Sequence, residues 1–111
     1  MQKYRSKPVE YNGRRYASKL EAKRAYQLDM LVKAGEIKGW APQVRVPLHS
    51  PCGLVGHYVV DFLVTCNDGS CRYEEVKGYP TDLWKWKFRH FKQEYPDAEI
   101  CVLKKGDINS L

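Results

Sequence analysis

At 111 residues the chain has room for one domain, a sheet with a few covering helices. No apolar run approaches the roughly 20 residues that span a bilayer, and the start Met1-Gln2-Lys3-Tyr4-Arg5 lacks the apolar core of a signal peptide, so a soluble, cytoplasmic protein with no membrane partner is expected. Nineteen Lys and Arg against 13 Asp and Glu, a net charge of +6, point to a polyanionic partner, nucleic acid first, although charge alone fits an ordinary basic protein equally well.

In chain order, residues 1–17 interleave Lys3, Arg5, Lys7, Arg14 and Arg15 with Tyr4, Tyr11 and Tyr16 around a tight Asn12-Gly13 turn. A short strand pair or basic arm is predicted. Phosphate contact through Arg14 and Arg15 is the functional reading, and a solvated terminus tied down by tyrosines is the plainer one. Ser18 opens a helix that runs to about Ala34 and stops at Gly35. Leu20, Ala25, Leu28, Leu31 and Val32 form its apolar stripe, with Glu21 near the middle and Arg24 on the same side. Glu21 has two roles open to it: reaching back to Ser18 in a capping box, or reaching a site on the sheet that the helix covers.

Ile37 to Trp40 begins an extended stretch, and Val44, Val46 and Leu48 alternate with Gln43, Arg45 and Pro47 as in a half-buried strand. Pro47 belongs near its end or at an edge. Gln43 lies opposite the valines, solvated or placed to bind a phosphate or a water. The segment His49 to Gly56 is expected to be a loop from its Ser-Pro and two glycines. His49 and His57 are general-base types without a placed partner.

The segment Tyr58 to Tyr79 is predicted to be a β-hairpin. Val59, Val60, Phe62, Leu63 and Val64 surround Asp61 with strand-forming residues, and Arg72 to Val76 forms the return strand. A three-residue Asn67-Asp68-Gly69 loop pairs Cys66 with Ser70 and sets Asp61 opposite Glu75. Glu75 and Lys77 then share Asp61's face, and Glu74 points the other way. A two-residue Asp68-Gly69 loop would instead strand Asp61 opposite Val76. Two carboxylates at a strand end suit a hard divalent cation such as Mg²⁺, and a lysine beside them suits orienting water or stabilising phosphate charge.

After a Gly78-Tyr79-Pro80 turn, Thr81 or Asp82 caps a second helix, Leu83 to Glu94. Leu83, Trp84, Phe88 and Phe91 form its expected core stripe. Lys85, Arg89 and Lys92 make a cationic face with Trp86 outside the stripe, suited to a nucleic-acid backbone, and Lys87 at the stripe's edge is a candidate second cation for the site. Ala98 to Leu103 is a last strand, expected parallel to the hairpin's second strand. Lys104 to Leu111 is expected to be a polar, frayed tail.

The order helix with Glu21, strand, strand with Asp61, strand with Glu75-Val76-Lys77, helix, strand resembles the PD-(D/E)XK nuclease superfamily. Val60-Asp61 stands for the first motif, without the proline of the name. SKLEAKRAYQLDML, APQVRVPL, YVVDFLV and EEVKGYPTD are similar to small phage-encoded endonuclease-like members, near those that resolve Holliday junctions. The resemblance implies an α/β fold with a restriction-endonuclease-like core, a mixed sheet of four to five strands flanked by two helices. It implies Mg²⁺- or Mn²⁺-dependent hydrolysis of DNA in phage recombination or replication. Asp61 and Glu75 would hold the metal with the Val76 carbonyl and Glu21, Lys77 would assist the attacking water, and Gln43 would match an auxiliary glutamine. Small members of this kind often act on branched DNA as homodimers. A noncatalytic nucleic-acid-binding module and a zinc-stabilised interaction protein, using His49, Cys52, Cys66 and Cys71, are the rival readings.

Overall fold

Short turns lay out the chain. A computed structural model describes residues 7–110, so Lys3, Tyr4 and Arg5 lie outside the described residues. Asn12 and Gly13 both take positive φ, 52° and 80°, which joins β1 (Val9–Tyr11) to β2 (Arg14–Tyr16) in a two-residue hairpin. Tyr11 and Tyr16 do tie this hairpin down. The Tyr11 hydroxyl donates to Asp29 at 2.6 Å, and Tyr16 is buried in the core.

Helix α1 (Lys19–Lys33) starts where Ser18 accepts the Glu21 N–H at 3.1 Å. Strands β3 (Gly39–Ser50), β4 (Gly53–Thr65), β5 (Cys71–Val76) and β6 (Ile100–Leu103) form one sheet in that order, with α2 (Asp82–Glu94) between β5 and β6. The first three strands are antiparallel and β6 is parallel to β5. The fold is thus α/β with a four-stranded mixed sheet, as expected. Pro47 sits on β3, an edge strand, where its missing N–H breaks no ladder.

Three expectations are corrected. The segment from His49 to Gly56 is not a loop: β3 and β4 continue to Ser50↔Gly53, with a register shift at Leu48/His49. The Ser-Pro and glycine signals there mark a tight turn and a bulge. Leu83 is 64% exposed and leaves the core stripe, because it lies in the first turn of α2. The C-terminal segment is ordered into a third helix, α3 (Lys105–Asn109), pinned by a fully buried Ile108.

The core falls into two clusters that meet at the centre of β4. Phe62 and Val64 pack under Ala22, Ala25 and Leu28 of α1. Tyr58 and Val60 pack with Val46, Leu48 and Phe91 of α2. The division falls at Asp61. Successive residues of a strand point to opposite faces, and β5 uses this at Glu74-Glu75: Glu74 meets Arg24 of α1, and Glu75 meets Trp84 of α2. The helices therefore cover opposite faces of β5.

A carboxylate cluster where two strands part

The loop Asn67-Asp68-Gly69 has three residues. Cys66 donates its N–H to Ser70 O at 2.8 Å, and Gly69 takes φ 91°. The register that follows, Phe62↔Glu74 through Thr65↔Cys71, is the one that sets Asp61 opposite Glu75. The regular ladder stops one residue short of that pair. There β4 and β5 part, and side chains take over the backbone groups: Asp61 N–H donates to Glu75 Oε1 at 3.1 Å, and Val76 N–H donates to Asp61 Oδ2 at 2.8 Å.

Glu21 settles between its two roles. Its backbone is capped by Ser18, while its carboxylate turns to the sheet and accepts Gln43 Nε2 at 3.0 Å. Gln43 lies in β3 with φ 52°, a left-handed conformation uncommon for a side-chain-bearing residue in a strand. Gln43 also favours the charged form of the Asp61 carboxyl against burial. Backbone strain at Gln43 thus accompanies its hydrogen bond to the helix acid Glu21.

Burial pushes all three acids toward their neutral forms. Glu75, 3% exposed, is raised to about 7 by burial and then by the charge of Asp61. Glu21 is raised to about 7 for the same two reasons. Burial also raises Asp61, against the Val76 N–H, Glu75 and Lys77. The nearest compensating cation is Lys77, whose Nζ is 3.8 Å from Glu75 Oε2 and 4.9 Å from the centre of the Trp84 ring. The cluster is short of positive charge.

Glu74 contrasts with its neighbour. Arg24 grips it with Nε and Nη2 at 2.7 and 2.9 Å, and Arg72 Nε adds a third contact at 3.0 Å. Burial opposes its ionisation, but the two guanidiniums outweigh burial and hold its carboxyl below the usual carboxylate range. Glu74 is a structural ion and Glu75 a member of the cluster.

Glu21, Asp61, Val76 and Lys77 line one open cleft of about 750 Å³, to whose lining Lys104 and Lys105 also belong. Glu75 lies behind Asp61 on the α2 side, where Trp84 Nε1 donates to its Oε2 at 2.8 Å and to the Tyr58 hydroxyl at 3.2 Å. Lys87 is half-buried on α2 and does not line the cleft. Lys85, Arg89 and Lys92 line a separate groove on α2 of about 530 Å³, and Trp86 is 49% exposed. Arg14 and Arg15 are exposed on β2.

The histidines stand apart. His49 and His90 both bond Glu94, at 2.6 and 3.2 Å, and His57 meets Arg45; none lines the cleft. All four cysteines are free. Among the described residues no three His, Cys, Asp or Glu side chains form a ready-made metal cage, neither His49, Cys52, Cys66 and Cys71 for zinc nor Glu21, Asp61 and Glu75 for a hard cation. The donor chemistry at Asp61, Glu75 and Glu21 is all oxygen, which matches Mg²⁺ or Mn²⁺ and not zinc. Burial and the charge of Asp61 push Glu21 and Glu75 toward their neutral forms, a penalty that a bound hard cation would relieve.

Sequence reasoning missed three members of this region. Trp84 packs against the core as expected, but its indole N–H also meets Glu75, an acceptor that a buried indole needs. Lys104 and Lys105 lie in a segment expected to be a frayed tail, although the apolar Ile108 after them was a signal of anchoring. Arg24 and Glu74 were each placed on the correct side, and opposite charges on facing surfaces were the signal for their pairing.

No helix among the described residues is long and apolar enough to cross a membrane. No curated protein and no solved structure matches the chain. Residues 1–107 match the family described as protein of unknown function (DUF1064), and the chain belongs to that family.

Proposed function

We propose that the protein is a metal-dependent DNA endonuclease of the PD-(D/E)XK type, acting inside the host cell on branched DNA. One observation carries this reading: Asp61, Glu75 and Glu21 come from three different elements to one cluster that lacks positive charge, with Lys77 beside it and an open cleft above it. A noncatalytic binding module gives no reason to keep three acids where burial and mutual repulsion disfavour them.

Asp61 and Glu75, with Glu21 and the Val76 carbonyl at hand, would hold Mg²⁺ or Mn²⁺. Such a cation supplies positive charge against the phosphate and makes water a stronger acid. Lys77 is positioned to orient the attacking water or to meet charge on the phosphate. Trp84 holds Glu75 through its indole N–H and Lys77 over its ring, and Gln43 holds Glu21 toward Asp61. The basic face of Lys85, Arg89 and Lys92, with Trp86, suits duplex arms beyond the cleft, as do Arg14 and Arg15. Paired nicks across a branch point need two such sites, so a homodimer is part of this reading.

The experiment is cleavage of labelled duplex, flap and four-way-junction DNA with Mg²⁺, with Mn²⁺ or with EDTA. Metal-dependent cutting, strongest on the junction, is expected. No cutting of any substrate with either metal would sink the reading.

A further inference from the structure

We propose that Lys104 and Lys105, at the junction of β6 and α3, form a phosphate-binding wall that holds the substrate strand beside the scissile phosphate. The assignment rests on the nuclease reading and extends it from the reacting group to the strand around it. Its first support is position. Val76 pairs with Leu103 in parallel register, and Lys77 N–H donates to Leu103 O at 3.0 Å. The residue after Leu103 therefore leaves the sheet beside Lys77, and Lys104 and Lys105 line the same cleft as Glu21 and Asp61.

The second support is rigidity. α3 is clamped to α1 by Gln27 Nε2 donating to Ile108 O at 2.8 Å and by Lys23 Nζ donating to Asn109 Oδ1 at 2.7 Å. Lys104 N–H is fixed by Asp107 Oδ2 at 2.9 Å, and Ile108 is fully buried. The wall is built into the fold, with its two ammonium groups exposed, and neither pairs with an acid among the described residues.

The third support is charge. With Glu21, Asp61 and Glu75 ionised, one divalent cation and Lys77 only bring the cluster to neutrality. Nothing there is left to offset the phosphates on either side of the reacting one. Lys104 and Lys105 are the further cations of the cleft that do this, Lys77 serving the reacting group from beside Glu75.

The test is DNA binding with EDTA present, so that no cleavage is required, for wild type, K104Q/K105Q and K104R/K105R across a series of salt concentrations. Each phosphate neutralised contributes about 0.9 to the slope of log affinity against log salt. The glutamine pair should lower the magnitude of the slope by about 1.8 and weaken binding at low salt by roughly tenfold or more. The arginine pair should keep both, since it keeps the two positive charges. A slope unchanged in K104Q/K105Q, with wild type binding and cutting normally, would overturn the lysine assignment alone. Absence of DNA binding by wild type would overturn the nuclease reading together with it.

Discussion

Glu74 and Glu75 are adjacent, both buried and both acidic, yet replacing each by glutamine should have opposite consequences. Glu74→Gln removes the negative charge from a buried site held by Arg24 at 2.7 and 2.9 Å and by Arg72 at 3.0 Å. Breaking a buried pair in this way costs about 3–5 kcal/mol. The amide keeps one acceptor and Arg72 is partly solvated, so the lower end, about 3 kcal/mol, is expected, or roughly 12–20 °C in melting temperature for a domain of this size. Glu75→Gln works in the other direction. A carboxyl that titrates at about 7 when folded, against its ordinary value of 4.5, opposes folding at pH 8. The full difference corresponds to roughly 3 kcal/mol, and the pair with Asp61 shares part of it. Glu75→Gln should therefore leave stability at pH 8 unchanged or raise it by about 1–3 kcal/mol, while metal-dependent cleavage is lost. Thermal denaturation and junction cleavage, run on both variants below the melting point of the weaker one, measure the two effects. If Glu74→Gln lost cleavage without losing stability, or Glu75→Gln destabilised by several kcal/mol and still cut, the assignment of the two faces of β5 would be refuted.

Trp84→Phe keeps the ring stacked on Phe88 but removes the N–H that orients Glu75; a hydrogen bond to a charged group is worth about 1.5–3 kcal/mol, so cleavage at saturating metal should fall by about tenfold or more, with the melting temperature moving by only a few degrees. Stability should rise as pH falls from 8 toward 5.5, because Glu21 and Glu75, raised to about 7, are protonated in the folded chain before the unfolded one. Below about 4.5 the trend reverses as the Glu74 pair is protonated, its stabilisation being present only above its lowered folded value. Melting curves across this range check both limbs, and a Glu21→Gln/Glu75→Gln variant should flatten the first. Gln43→Gly and Gln43→Ala both lose the amide that bonds Glu21, but glycine accepts φ 52° without strain, so denaturant unfolding should show Gly more stable than Ala by about 1 kcal/mol.

The hairpin register was legible because it follows from loop length, and loop length was written in Asn67-Asp68-Gly69. The two main helices were legible from Ser18 and Thr81 as caps and from their apolar spacing. Glu21 was ambiguous for a physical reason: a capping glutamate and a glutamate on the core-facing stripe share one position in sequence, and only the place of Gln43 decides where the side chain goes. The β3–β4 turn was misread because Ser-Pro and glycine mark a tight reversal and an open loop alike. The core place of Trp84 was legible, but its bond to Glu75 was not, because burial pattern shows where a ring lies and not what its N–H meets. The role of Lys104 depends on the parallel pairing of Leu103 with Val76, a contact between residues distant in sequence.

The most direct measurement is single-turnover cleavage of a four-way junction with Mg²⁺ by wild type and Asp61→Asn, with folding checked by melting. Asn retains the shape of Asp61 and removes the charge that the cluster shares. Cutting by wild type and a loss of about a thousandfold or more in the folded variant are expected, in line with removal of several kcal/mol of transition-state stabilisation. Equal cutting by both proteins would contradict the placement of the reaction at the point where β4 and β5 part.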